Sequence, residues 1–278
     1  MSEKKTITLA HSPDADDAFM FYGLAKGLVD SGDLEFVHKL QDIQSLNVDA
    51  LNERYDVTAV SFGMYPRIAD RYALLSSGSS IGDGYGPIVV SREPMEAEDL
   101  SNHRVAVPGE NTSAFISLRL HTPDLDWIAM DFSEIQEAVM DGEVAAGLLI
   151  HEGQLTYMED GLHKVVDLGR WWKDLTGLPL PMGGNAIRRG LEEDLMKKIS
   201  MILRESIQYS LDHRDQALEY AMQFGRGLEK EKADRFVGMW VNEMTVDYGD
   251  LGRKAVRAFL TAASDAGLLP KIESFDFV

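Results

Sequence analysis

Short apolar runs alternate with amphipathic segments along the first part of the chain, and this alternation constrains the fold more than any other feature. The predicted strands are Thr6–Ala10, Leu34–Leu40 and Val57–Val60, and the predicted helices between them are Asp16–Val29 and Ile43–Asn52. Alternation of this kind is typical of βαβ units, so we expect a mixed, mostly parallel sheet with helices on both faces.

The same alternation begins again after a stretch rich in Gly and Ser, Ser76–Gly86. In this second run the predicted strands are Pro87–Ser91, Arg104–Val107, Asp126–Met130 and Val144–Ile150, and the predicted helices are Thr112–His121 and Ser133–Asp141. The next segment, Leu178–Ile187, contains prolines and glycines that exclude a helix, and Leu191–Leu268 is then almost wholly helical.

Two such runs predict two α/β lobes. We expect a discontinuous first lobe of residues 1–91 and 181–278, in which the C-terminal helices pack on the N-terminal sheet. The second lobe, residues 92–180, is predicted to be an insertion, with hinge crossovers near 87–91 and 178–187. Ligands bind beyond the carboxyl ends of strands in open sheets, so the expected site is a cleft between the lobes.

The composition excludes several functions. The 278 residues include 46 acidic and 27 basic side chains, and the formal net charge of −19 argues against nucleic-acid binding. The chain has no cysteine, which rules out disulfides and cysteine nucleophiles. No run approaches the roughly 20 apolar residues of a membrane helix, and the first ten residues, MSEKKTITLA, lack an apolar signal-peptide run. We expect a cytoplasmic protein without membrane insertion; the oligomeric state stays open.

His151 is the strongest candidate for a catalytic residue. It directly follows the apolar strand Val144–Ile150, and the carboxyl end of such a strand is where a site is expected. An imidazole can accept a proton near neutral pH, as a general base must. The alternative is a histidine that bonds to its neighbours at a strand end.

Two turns are candidates for binding an anion. In Val107–Phe115 (VPGENTSAF) a strand leads to Thr112 and Ser113 at the start of a helix, where hydroxyl and backbone N–H groups suit a carboxylate or phosphate. The alternative is an ordinary helix N-cap at Asn111 or Thr112. Ser61-Phe62-Gly63 repeats the arrangement in the first lobe, which makes Ser61 and Gly63 further candidates.

The acidic run Asp14-Ala15-Asp16-Asp17 looks like a metal site but lacks the alternating ligands, the central glycine and the distal glutamate of a calcium loop. We therefore favour helix capping and predict no metal. His11 and Ser12, at the end of the first strand, are better placed to face a ligand. Trp171 is the candidate aromatic contact, although its neighbour Trp172 cannot share its face and the sequence does not decide between them.

Six segments carry a resemblance to a known family. They are Ser12–Phe21 (SPDADDAFMF), Asp56–Gly63 (DVTAVSFG), Gly84–Val90 (GYGPIVV), Val107–Ser113 (VPGENTS), Leu148–Tyr157 (LLIHEGQLTY) and Leu168–Gly183 (LGRWWKDLTGLPLPMG). Together they resemble the menaquinone-biosynthesis branch of the periplasmic-binding-protein-like superfamily, specifically the 1,4-dihydroxy-6-naphthoate synthases of the futalosine pathway. The resemblance spans about residues 6–190, and its most specific segment is LLIHEGQLTY.

The resemblance implies a two-lobed, type II periplasmic-binding-protein-like fold and a carbon–carbon lyase without metal or organic cofactor. The implied substrate is cyclic dehypoxanthinyl futalosine, a small carboxylate with a sugar-derived portion. The reaction opens that portion, releases a three-carbon fragment and yields 1,4-dihydroxy-6-naphthoate. His151 matches the catalytic histidine that acts as general base in the family, and Ser61, Thr112 and Ser113 match its ligand-binding turns.

Two other functions stay open at this point. A solute-binding protein of a transporter for a small organic anion has the same fold, and so do chorismate dehydratases, which usually lack the histidine. The chain also departs from the family motif Ser-Pro-Cys-Pro-Asn-Asp-Thr-Phe, since Asp14, Ala15, Asp16 and Ala18 replace Cys, Pro, Asn and Thr. This difference leaves the exact substrate open, and the sequence identifies no basic group for the substrate carboxylate.

Overall fold

The computed structural model describes residues 4–224, 229–272 and 275–278, so the first three residues of the N-terminal segment lie outside it. The strands are β1 (Lys5–His11), β2 (Leu34–Leu40), β3 (Val57–Ser61), β4 (Tyr72–Leu74), β5 (Ser80–Gly82), β6 (Ile88–Ser91), β7 (Arg104–Val107), β8 (Asp126–Ala129), β9 (Ala146–Leu149), β10 (His163–Asp167) and β11 (Leu180–Arg188). The helices are α1 (Ala15–Met20), α2 (Tyr22–Ala25), α3 (Ile43–Ala50), α4 (Ser113–His121), α5 (Ile135–Asp141), α6 (Gly153–Thr156), α7 (Leu168–Thr176), α8 (Glu193–Asp212), α9 (Arg214–Ala221), α10 (Lys230–Trp240), α11 (Glu243–Val246) and α12 (Gly249–Asp265).

The chain forms two compact units. Unit 1 contains Met1–Ser80, Gly183–Asp250 and Ile272–Val278, and unit 2 contains Ile81–Met182 and Leu251–Lys271. Each unit has its own sheet and its own hydrophobic core, which is what two runs of alternating apolar and amphipathic segments require.

Unit 1 is built on a sheet with the strand order β2-β1-β3-β11-β4, to which β5 adds by pairing with β11. β1 is parallel to β2 and β3, whereas β11 is antiparallel to β3 and β4. The main core lies between the sheet and the helices α1, α8, α9 and α10, where Leu9 and Val57 are buried together with Phe19, Leu203 and Leu218. Every residue of β3 is buried, which explains why the strand carries no charged residue and is apolar except at Thr58 and Ser61.

Unit 2 is built on a sheet with the order β10-β6-β9-β7-β8. β7 is parallel to β8 and β9, whereas β6 is antiparallel to β9 and β10. Helix α5 packs closely on β9, because a Cβ atom at Gly147 would lie 2.5 Å from Ile135 and 2.8 Å from Val139. Glycine at this position lets the helix approach the strand that leads to His151.

The helix predicted over Asp16–Val29 is divided into α1 and α2. Phe21 leaves helical geometry between them, at φ −99° and ψ 8°, and its buried ring packs 4.7 Å from the ring of His11. β4, β5, β10 and α7 are not among the predicted elements. The three strands are short or half-exposed and carry little periodic signal, whereas α7 is amphipathic and its helical pattern is present in the sequence.

The unit boundaries differ from those predicted. β6, predicted as a hinge crossover, pairs with β9 and β10 inside unit 2. From Leu251 onward α12 belongs to unit 2 rather than to the N-terminal part, because Phe259 packs edge-on against Trp172 with ring centroids 5.8 Å apart. The other predicted crossover coincides with β11, which passes from unit 2 into unit 1 after Met182. Hinge motion at these segments stays a prediction.

Candidate functional site

Within each unit, the predicted site residues follow neighbouring parallel strands. In unit 2, Thr112 and Ser113 come after β7 and His151 comes after β9. In unit 1, His11 ends β1 and Ser61 ends β3. Since parallel strands place their carboxyl ends at the same edge of a sheet, each unit gathers its candidates at one edge, where ligands bind in folds of this type.

His151 is buried, with 6% of its surface exposed, two residues beyond the end of β9. Its Nδ1 atom accepts a hydrogen bond from the backbone N–H of Gly153 at 2.9 Å. A backbone N–H can only donate, so Nδ1 carries the lone pair and the neutral ring carries its proton on Nε2. The ring of Phe132 meets the imidazole nearly edge-on, with centroids 5.9 Å apart. The orientation and the tautomer of the imidazole are thus both set locally.

Only glycine fits at position 153 without a shift of the neighbouring side chains. A Cβ atom here would lie 2.2 Å from Oε1 of Gln136, 2.6 Å from Cε1 of His151 and 3.0 Å from its Nδ1. Gln136 is itself held by the hydrogen bond that its Nε2 donates to Asp160 at 2.6 Å. Gly153 therefore has two roles: its backbone N–H donates to the imidazole, and its lack of a side chain leaves room for the ring.

Glu152 and Gln154 are two polar residues beside His151 that were not among the predicted site residues. Only 3% of Glu152 and 7% of Gln154 is exposed. Within the described residues, Oε2 of Glu152 and both Oε1 and Nε2 of Gln154 are buried without a hydrogen-bond partner. Their position directly after the candidate base was the available signal, because a buried strand end rarely needs three large polar side chains among four residues.

The turn after β7 is a capped helix start. Thr112 is the N-cap of α4, where its Oγ1 accepts from the N–H of Phe115 at 3.2 Å and donates to the carbonyl of Gly109 at 2.8 Å. The N-cap predicted as the alternative is therefore confirmed. The hydroxyl of Thr112 is occupied by the two hydrogen bonds of this cap. Ser113 is buried at the first position of α4, and its carbonyl accepts from Ser117.

The turn after β3 is held by Asn47, a residue that the sequence analysis missed. Asn47 is fully buried on α3; its Oδ1 accepts from the N–H of Ser61 at 2.9 Å and its Nδ2 donates to Oγ of Ser61 at 3.0 Å. The Ser61 hydroxyl is thus fixed as an acceptor, with its own hydrogen left to donate. Asn47 stands between the buried apolar residues Leu46 and Ala50, which was the signal for a structural polar contact.

A basic side chain also lies at this turn. Arg67, at the end of a short 3₁₀ segment (Tyr65–Arg67), donates from Nη1 to the carbonyl of Gly63 at 3.3 Å. No cation was predicted from sequence for either candidate turn. The structure places this guanidinium beside Gly63, two residues after Ser61, so the local field at the turn is less negative than the net charge suggests.

The first predicted pair, His11 and Ser12, is part of an internal network. Nδ1–H of His11 donates to the carbonyl of Ser12 at 2.8 Å, so Nε2 of His11 must accept from Nδ1–H of His38 at 3.0 Å. Both ring nitrogens of His11 are therefore bonded within unit 1, which leaves none for a ligand in this arrangement. The N–H of Ser12 donates to Oδ2 of Asp17 at 2.8 Å, and its Oγ accepts from the N–H of Asp14 at 3.0 Å.

Burial shifts the pKa values of His11 and Asp17, the two titratable residues that are hydrogen-bonded to Ser12. It lowers the pKa of His11 to about 3, with a further reduction from His38, while the bond to the Ser12 carbonyl opposes the shift. Burial raises the pKa of Asp17 to about 6, although its hydrogen bonds with Ser12 act in the other direction. Asp14 is the N-cap residue of α1 without a capping bond from its side chain, whereas Asp16 and Asp17 lie in the first turn, where the helix macrodipole favours acidic residues.

Replacing Asp17 by asparagine should stabilise the protein at neutral pH. Between pH 3.8 and about 6 the folded chain keeps Asp17 protonated, whereas the unfolded chain ionises it, so the free energy of unfolding falls as the pH rises. At pH 7 the wild type therefore carries the cost of a buried carboxylate, which asparagine avoids while retaining an acceptor for the Ser12 N–H. We expect a gain of about 1–3 kcal/mol at pH 7 and none at pH 4, measured by urea denaturation.

The matched control for this measurement is Asp70→Asn, which changes an exposed aspartate and should have the same small effect at both pH values. If Asp17→Asn gave equal changes at pH 4 and pH 7, the elevated pKa of Asp17 would be refuted.

The two tryptophans have different surroundings. Trp172 is buried in the core of unit 2, where it packs on Phe259. Trp171 is half-buried and meets the ring of His121 nearly edge-on, with centroids 5.2 Å apart. One tryptophan therefore packs in the interior, as expected of neighbours on a helix, and a ligand contact of Trp171 stays a prediction.

In the ranges that the structure describes, no three His, Asp or Glu side chains group in a way that could hold a metal ion. Among the helices of the same ranges, none combines the length and the hydropathy that crossing a bilayer requires.

Solved structures of low sequence identity share this fold. A Candida albicans protein described as exhibiting the generic periplasmic binding protein fold matches with a TM-score of 0.74 and 14% identity, over 96% of this chain and 92% of that chain. The alkanesulfonate-binding protein SsuA from Xanthomonas axonopodis pv. citri matches with a TM-score of 0.73 and 11% identity, over 98% and 96% of the two chains. The fold is periplasmic-binding-protein-like, as predicted.

Relatives of higher identity define the family. A crystal structure of an Archaeoglobus fulgidus protein matches with a TM-score of 0.91 and 45% identity, over 95% of this chain and 98% of that chain. Proteins named 1,4-dihydroxy-6-naphtoate synthase from Thermus thermophilus and Streptomyces coelicolor are 40% and 37% identical, over 95% and 96% of this chain and 96% of each relative. The family profile described as menaquinone biosynthesis matches residues 7–265. The chain belongs to the menaquinone biosynthesis family, which confirms the resemblance found in the sequence.

Proposed function

We propose that the protein is a 1,4-dihydroxy-6-naphthoate synthase that converts cyclic dehypoxanthinyl futalosine into 1,4-dihydroxy-6-naphthoate and a three-carbon fragment, with His151 as the general base. Two relatives at 37–40% identity, each aligned over almost its whole length, bear the name of this enzyme. The structural observation that carries the proposal is the buried imidazole of His151, fixed by the Gly153 amide at the carboxyl end of β9.

The tautomer of His151 specifies how a proton can be taken up. A base needs a lone pair, and in the neutral ring this lone pair is on Nδ1, which accepts from Gly153 at 2.9 Å. Proton abstraction therefore requires that the imidazole give up this hydrogen bond, either so that Nδ1 itself takes the substrate proton or so that the ring proton moves to Nδ1 and Nε2 becomes the acceptor. The imidazolium that results can return a proton to a leaving oxygen in a later step.

Each of the two turns chosen from the sequence offers, within its own unit, hydrogen-bond donors that suit a carboxylate. At the turn after β3, the Ser61 hydroxyl has a hydrogen to donate and the Arg67 guanidinium lies beside Gly63. At the start of α4, the Thr112 hydroxyl is used by the cap, so the groups that remain for an anion are backbone N–H groups of the first turn.

The decisive experiment offers candidate substrates to the purified full chain. With cyclic dehypoxanthinyl futalosine we expect formation of 1,4-dihydroxy-6-naphthoate, followed by liquid chromatography and mass spectrometry, at a rate that EDTA does not change. Chorismate should be left intact, which separates this function from that of a chorismate dehydratase.

Two results would overturn the proposal. One is dehydration of chorismate in place of the naphthoate reaction. The other is stoichiometric binding of a small organic anion without turnover, which would favour a solute-binding protein. Cell fractionation tests the predicted cytoplasmic location separately, because a transporter component would be recovered with the periplasm or the membrane.

A further inference from the structure

The turn that carries His151 contains more polar chemistry than a general base requires. The N–H of Gln154 donates to the carbonyl of His151 at 3.0 Å, and the N–H of Leu155 donates to the carbonyl of Glu152 at 2.9 Å. These bonds satisfy the main chain of the turn, and they make His151 and Gln154 neighbours on one helical turn. The question is what the two buried side chains, Glu152 and Gln154, bind.

Buried polar atoms almost always have a hydrogen-bond partner, and those without one need an explanation. Gln154 is more than nine-tenths buried, yet neither its amide oxygen nor its amide nitrogen has a partner within the described residues. Glu152 is buried still more completely, and Oε2 of its carboxyl group has no hydrogen-bond partner within the described residues. Two such side chains beside the candidate base indicate groups that a ligand satisfies.

We propose that Glu152 and Gln154 bind the hydroxyl groups of the substrate's sugar-derived portion next to His151. The carboxamide of Gln154 offers one acceptor and two donors, which matches a hydroxyl that both donates and accepts. The free carboxyl oxygen of Glu152 offers an acceptor, which matches a hydroxyl donor and not a second carboxylate. This turn therefore takes the hydroxyl-bearing end of the substrate, where the ring opens, and leaves the carboxylate to other groups.

This inference rests on the proposed function and specifies which part of the substrate meets the turn. It has a consequence that a purely structural role for the two side chains does not share. The product 1,4-dihydroxy-6-naphthoate lacks the sugar-derived portion, so the loss of Gln154 should weaken the binding of substrate and not of product.

The test compares two dissociation constants by calorimetry in chains that also carry His151→Gln, which slows turnover. We expect Gln154→Leu to weaken the binding of cyclic dehypoxanthinyl futalosine about 10-fold or more and to change that of 1,4-dihydroxy-6-naphthoate by less than about twofold. Glu152→Gln, which replaces an acceptor by a donor, should show the same selectivity. The control is Gln208→Leu at an exposed glutamine of α8, which should change neither constant.

Equal losses for substrate and product, or no loss for either, would overturn the assignment. If Gln154→Leu does not fold, as judged by circular dichroism, Gln154→Glu provides the same comparison because it keeps the shape and removes the N–H donors. Failure of the proposed function would look different, since a chain with Glu152 and Gln154 intact would then bind neither compound. In chains that retain His151, the same substitutions should raise KM more than they lower kcat.

Discussion

Replacing His151 by glutamine should lower turnover of cyclic dehypoxanthinyl futalosine about 10²–10⁴-fold and leave its affinity within about threefold, because general-base catalysis is worth that much in rate. Glutamine provides an N–H near the position of Nε2 but has no lone pair basic enough to take a proton. Steady-state kinetics and calorimetry on the full chain measure the two quantities separately.

The comparison with His151→Ala identifies which function of the imidazole matters. If proton abstraction is the role, alanine and glutamine should be equally inactive. If glutamine restores turnover to within about 10-fold of the wild type while alanine does not, His151 acts through its Nε2–H as a donor, and its role as base is wrong. His163→Gln, at an exposed histidine that begins β10, is the control and should leave the kinetics unchanged.

Replacing Gly153 by alanine should lower kcat about 100-fold with little change in KM. The added methyl group would lie 2.2 Å from Oε1 of Gln136 and 2.6 Å from Cε1 of His151, so both side chains must move. The shift of the buried imidazole is the costly one, because misplacement of a catalytic group by about 1 Å can cost that factor in rate.

Gly190→Ala is the matched control for this substitution. A Cβ atom at Gly190 has a single neighbour, Nη1 of Arg188 at 3.8 Å, so an alanine there meets ordinary contact and should leave kcat unchanged. If Gly153→Ala folded normally and kept full activity, the orientation of His151 would not depend on the space that Gly153 leaves.

The sequence was sufficient for those features that depend on local pattern. The fully buried runs that became β3 and β9 placed Ser61 and His151 at strand ends, and the polar residues before an apolar helix narrowed its N-cap to Asn111 or Thr112, of which the structure has Thr112. A strand that is buried on both faces is an apolar run in the sequence whichever strands it pairs with. The ends of such strands can therefore be predicted without knowledge of tertiary contacts.

The features that the sequence did not provide are set by contacts between distant segments. Asn47 holds Ser61 across 14 residues, and His38 bonds His11 across 27, so neither pair produces a periodic signal. The assignment of α12 to unit 2 depends on the contact between Phe259 and Trp172, which an amphipathic helix pattern does not specify. The space around Gly153 likewise depends on where Gln136 lies.

The opposite pKa shifts of His11 and Asp17 have a consequence for how many protons the chain exchanges when it unfolds. Between about pH 4 and pH 6, unfolding releases the proton that burial retains on Asp17. In the same range unfolding lets His11 take up a proton, because burial keeps its imidazole neutral in the folded state. The two exchanges nearly cancel, so His11 and Asp17 together contribute little net proton uptake on unfolding between about pH 4 and pH 6. Either residue alone would make the free energy of unfolding strongly dependent on pH in this range.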